Sequence, residues 1–115
     1  MNNSEQRGSD REKCYAKFIL NTGRFPGYVR DVSNLGLRIE IPGTVDLSAG
    51  DKIQATITPV EETEGQPFGA LLEVRWNRWE DPFTALGLKL LELDSDEGRL
   101  EYAKLIEYYD MNIRD

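Results

Sequence analysis

Short runs in which apolar and polar residues alternate, each closed off by glycine, proline or asparagine, restrict the folding of this chain more than any other feature. The clearest is Leu37, Ile39 and Ile41 alternating with Arg38 and Glu40, a period of two that turns one face to a core and the other to water. Similar runs cover Lys13 to Leu20, with Cys14, Ala16, Phe18 and Leu20 on one face, and the stretch from about Tyr28 to Ser33. Others run from Lys52 to Thr58, from about Ala70 to Trp79 and from Ala85 to Leu93. Turn chemistry separates them: Asn21-Thr22-Gly23 and Pro26-Gly27, Asn34-Leu35-Gly36, the Pro42–Gly50 loop, the charged tip Glu61–Pro67, and Glu80-Asp81-Pro82. Strands this short, joined this closely, expose sheet edges unless the sheet closes on itself. The expected fold is mainly β, a six-stranded antiparallel (split) β-barrel.

Beyond Leu93 the period changes. Ser95 is a good N-cap, Asp96 and Glu97 suit the positive end of a helix dipole, and Tyr102, Leu105, Ile106, Tyr109 and Ile113 recur at helical spacing. The pattern predicts one C-terminal amphipathic helix, packed either on the barrel or on a partner. After Met1 the first residues carry nothing apolar and read as a flexible N-terminal arm. The expected organisation is an arm over residues 1–12, a barrel over 13–93 and a helix over 94–115, one domain in a chain of 115 residues.

Composition narrows the function. A net charge of −7 argues against binding DNA or RNA polymers, which takes a basic surface, but not against a small anion held by a local arginine cluster. The chain has no histidine and one cysteine, so histidine-dependent triads, imidazole metal sites, cysteine zinc cages and internal disulfides are all ruled out. The 21 acidic residues show no pair disposed for hydrolysis, and the expectation is a protein that is not an enzyme and carries no cofactor or metal. No apolar run is long enough to insert in a membrane, and the N-terminus lacks the apolar core of a secretory signal; a cytoplasmic location is expected.

Two polar clusters remain. Arg7 and Arg11 lie four residues apart on the arm, and Asp31, Ser33 and Gly36 surround the second turn. Reflecting the first two strands about Thr22 to Phe25 sets Arg11 across from about Gly36. Arginine forks bind phosphate oxygens and the O6/N7 edge of guanine, a carboxylate accepts from guanine N–H groups, and glycine allows close backbone approach. Trp76 and Trp79, three apart on a strand, point to opposite faces, so at most one could stack a base; packing at the core or rim is the simpler role for Trp76. Cys14 is expected as a small buried hydrophobe. Arg30 and Arg38 flank the turn as outward strand charges.

Arg7-Gly-Ser-Asp-Arg11 followed by Asp31-Val-Ser-Asn-Leu-Gly36 resembles the R-x-x-x-R and (D/N)-x-S-x-x-G signature of the PilZ domain family. Val74-Arg75-Trp76, then Leu86-Gly87-Leu88-Lys89-Leu90, then a terminal helix, is also what such domains look like. The resemblance implies binding of the bacterial second messenger cyclic di-GMP, with Arg7 and Arg11 on phosphate and guanine and Asp31, Ser33 and Gly36 at the guanine-binding turn. It further implies a stand-alone monomer or weak dimer that signals to an unidentified downstream protein as the arm orders. Gln6 stands where many members carry a further arginine, so one ligand per chain is expected rather than a stacked pair. The alternative is a PilZ-like adaptor that docks onto proteins without binding nucleotide.

Overall fold

A computed structural model of the chain describes residues 14–114. Its strands are β1 (Lys17–Leu20), β2 (Phe25–Val32), β3 (Gly36–Pro42), β4 (Lys52–Thr58), β5 (Phe68–Glu80) and β6 (Phe83–Leu93), followed by helix α1 (Asp96–Asn112). All neighbours pair antiparallel and the sheet closes in the order β1-β2-β3-β6-β5-β4, with β4 returning to β1. The six-stranded barrel read from the alternation is the fold observed.

The core is built from the inward rows. Val32, Leu37, Leu88 and Val74 are successive cross-strand partners through β2, β3, β6 and β5, and all four are buried. Phe18, Val29, Ile39, Ile57, Leu72 and Leu86 fill the same interior. Strand β1 is shorter than the alternation suggests. Lys17 pairs with Thr58 and Tyr28, and before it the chain runs outside the β1–β4 ladder, so Cys14 is exposed rather than buried. A strand pattern loses its meaning once one neighbouring strand ends.

Helix α1 packs in cis, against β2, β5 and β6, over the barrel end where β1 and β5 start and β2 and β6 finish. Ser95 caps it, its hydroxyl accepting from the Gly98 N–H at 2.9 Å. The expected face is the buried one: Tyr102, Leu105, Tyr109 and Ile113 enter the core and Ile106 packs beside them.

Three register shifts break the strict alternation; one leaves Leu91 of β6 unpaired opposite Leu71 and Leu72, and the other two fall on basic residues. In β2 the register shifts between Val29, opposite Ile39, and Asp31, opposite Arg38, leaving Arg30 as the extra residue. In β5 it shifts between Val74, opposite Leu88, and Trp76, opposite Gly87, leaving Arg75 as the extra residue.

Candidate functional site

The bulges decide what reaches the outside of the barrel. Without the extra Arg30, Asp31 would face Leu37 and point into the core; with it, Asp31 faces Arg38 on the outer surface. Without the extra Arg75, Trp76 would face Leu86, which is wholly buried; with it, Trp76 faces Gly87 outside. The result is an outward row across four strands, Asp31, Arg38, Gly87 and Trp76. A second row lies beside it: Ser33, bonded through its N–H to the Gly36 carbonyl at 2.9 Å, then Gly36, Lys89 and Glu73.

Together these rows form the floor of an open cleft of about 590 Å³, lined by Asp31, Ser33, Arg38, Arg75, Trp76 and Lys89 among others. Gly36 and Gly87 leave the floor bare at two of its middle positions, beside Arg38 and Lys89. A Cβ on Gly36 would lie 1.9 Å from the Leu88 carbonyl oxygen, so the close approach of β6, rather than a left-handed turn, requires glycine there. A Cβ on Gly87 would meet Trp76 Nε1 at 2.2 Å; the indole occupies that notch.

Charge around the floor is unevenly committed. Arg30 is tied up, ion-paired to Glu40 at 2.7 Å with its guanidinium 4.6 Å from the Tyr15 ring centre. Arg38, Arg75 and Lys89 make no ion pair among the described residues, although Lys89 does face Glu73 in register. The Asp31 Oδ1 accepts from the Val32 N–H at 2.9 Å and pairs with Arg114 at 3.0 Å, leaving the second carboxylate oxygen for another donor. Arg114 also pairs with Asp110 at 2.8 Å and donates to the Val32 carbonyl, joining the end of α1 to the turn. The Ser33 hydroxyl accepts from the Leu35 N–H at 3.2 Å and remains exposed.

Two tyrosines of α1 hold the site from behind. The Tyr102 hydroxyl donates to the Ser33 carbonyl at 2.7 Å, with the Gly36 carbonyl at 3.3 Å. The Tyr109 hydroxyl donates to the Val29 carbonyl and accepts from the Ala16 N–H at 2.9 Å. Burial pushes both phenols well above the ordinary tyrosine range, so both stay protonated donors.

Of the residues expected from sequence, Asp31, Ser33 and Gly36 come together around one cleft, while Arg7 and Arg11 lie outside the described residues. Arg38, Arg75, Trp76 and Lys89 were not expected there. Arg38 could have been found by reflecting β2 and β3 about Asn34-Leu35, which sets it opposite Asp31. Arg75 and Trp76 could not, because nothing in a period of two signals a bulge. Trp76 is a half-exposed wall of the cleft rather than core, and Trp79, opposite Thr84, falls on the other face as its spacing requires.

The described residues form a small closed barrel with an open cleft that carries Arg38, Arg75 and Lys89. The chain matches the profile of the PilZ domain family over residues 5–109 of 115, and it belongs to that family, whose members are binding domains that generally take cyclic di-GMP. No curated protein matches the chain, and no solved structure does. Among the described residues no helix is long and apolar enough to cross a membrane.

Proposed function

We propose that this domain is a receptor for cyclic di-GMP, with Asp31 and Ser33 reading guanine at the β2–β3 turn and Arg7 and Arg11 holding phosphate and guanine from the arm. The observation that carries the reading is the outward placement of Asp31 and Ser33 on a floor opened by Gly36 and Gly87, beside cations that make no ion pair among the described residues. The ligand would bridge arm and barrel, and the surface so formed is what a downstream protein would read.

Calorimetric titration with cyclic di-GMP tests this. The expected stoichiometry is one ligand per chain. Arg11→Ala should weaken binding at least about tenfold, since a charge-assisted hydrogen bond contributes roughly 1.5–3 kcal/mol. An Arg11→Ala variant that binds as tightly as the parent sinks the assignment of the arm. No heat, together with unmoved amide shifts at Ser33 and Gly36, would leave the domain as a docking adaptor.

A further inference from the structure

We propose that the outer face of α1 is where two copies of this chain dimerise. The two helices run antiparallel, with Leu100 of each copy against Met111 of the other and Lys104 against Glu107. The proposal is independent of how the cleft is read.

Helix α1 lays Tyr102, Leu105, Tyr109 and Ile113 against the barrel. At about 100° per residue, the direction opposite those four belongs to Leu100, Lys104, Glu107 and Met111. All four are exposed, Leu100 at 65% and Met111 at 76%. A single exposed apolar side chain is ordinary. Here two stand in line on the face turned away from the core, eleven residues apart, which is three turns to within about 20°. The stripe therefore runs nearly along the helix axis, for roughly 16 Å.

The order of residues in the stripe selects a second copy as its occupant. The apolar pair, Leu100 and Met111, and the charged pair, Lys104 and Glu107, share one midpoint, between Leu105 and Ile106. A two-fold axis through that point, perpendicular to the helix, brings each residue onto its complement in the other copy. Apolar contacts then close both ends of the interface and two ion pairs fill its middle. Parallel pairing of the same face would set Lys104 on Lys104 and Glu107 on Glu107, which repel. Antiparallel helices also align their dipoles favourably. The charged pair is free to serve a partner. Glu107 makes no ion pair among the described residues, and Lys104 reaches only Glu101, at 3.8 Å.

The net charge of −7 on each copy opposes association at low salt. At 0.15 M salt, charges more than about 8 Å apart are screened, and the stripe itself is neutral. A contact one helix face wide is smaller than a standard interface, so the expected dimer is weak, with Kd on the order of 100 µM.

Sedimentation velocity of the full chain at about 0.15 M salt tests this, with circular dichroism to check that each variant is folded. The parent should pass from monomer to dimer between about 10 µM and about 1 mM. Leu100→Gln and Met111→Gln, exposed changes that keep good helix formers, should each raise Kd about tenfold. Lys104→Glu should weaken the dimer by setting carboxylates against each other. Glu107→Lys should weaken it too, although it lowers the net charge and would favour association if only that charge mattered. The double variant Lys104→Glu with Glu107→Lys keeps the net charge of the parent and should restore its Kd. A parent that stays monomeric at about 1 mM overturns the proposal. So does a parent dimer that Leu100→Gln and Met111→Gln leave intact. A double variant no better than the single charge reversals overturns the antiparallel pairing.

Discussion

Gly36→Ala is expected to destabilise the domain by about 3 kcal/mol or more, seen as a fall in Tm of roughly 10 °C, and to abolish nucleotide binding. The added methyl would sit 1.9 Å from the Leu88 carbonyl oxygen and 3.0 Å from the Leu88 carbonyl carbon and Lys89 Cα. These are backbone atoms in the middle of a ladder, so they cannot rotate aside. Relief requires β3 and β6 to separate, which breaks the pairing of Gly36 with Lys89 and loses ladder hydrogen bonds at about 1 kcal/mol each. The damage does not stay local, because the Gly36 carbonyl accepts from the Ser33 N–H and lies beside the Tyr102 hydroxyl. Gly87→Ala is the informative comparison. The three atoms nearest its Cβ all belong to the Trp76 side chain, which can swing away, so stability should fall less. A Gly36→Ala protein as stable as the parent would show that the β3–β6 approach is not what requires glycine.

Gly36 thus serves the sheet, where the backbone of Leu88 and Lys89 leaves no room for a Cβ. Sequence reasoning gave Gly36 a turn role and a close approach to a ligand, because a glycine after Asn34-Leu35 looks like turn chemistry. Its requirement comes from β6, a strand far away in sequence. The same distinction runs through the rest of the chain. Leu37, Ile39, Ala55 and Ile57 were readable because each has a partner strand on both sides, and hydrophobicity then reports burial directly. The face of α1 was readable for the same reason. Cys14 was misread because alternation continues in the letters after the β1–β4 ladder has stopped. Trp76 was misread because Leu72, Val74 and Trp76 continue a perfect inward pattern that the Arg75 bulge interrupts. The bulges at Arg30 and Arg75 each put a residue that lines the cleft, Asp31 and Trp76, on the outer face.

Tyr109→Phe is expected to cost about 3 kcal/mol and to weaken nucleotide binding several-fold, although residue 109 lines no part of the cleft. The side chain is wholly buried, and its hydroxyl is the partner of two backbone groups, the Val29 carbonyl and the Ala16 N–H. Phenylalanine fills the same space but leaves both groups without a partner, at about 1–3 kcal/mol each. Ala16 lies five residues after Arg11 in the sequence, so loosening it frees the described segment nearest that arginine along the chain. Tyr108→Phe is the control. Its hydroxyl donates to the Cys14 carbonyl at 3.0 Å in an exposed setting, and its loss should cost less than about 1 kcal/mol. Alkaline titration gives a second readout that does not involve ligand. Burial raises the Tyr102 and Tyr109 phenols above their ordinary 10.0, so above that pH the unfolded chain releases protons that the folded chain keeps. Stability is therefore full below about pH 10 and falls as pH rises beyond it, and Tyr109→Phe should make that fall shallower. A variant with parent-like stability and an unchanged alkaline slope would mean that the Tyr109 hydroxyl does not tie the arm segment to the barrel.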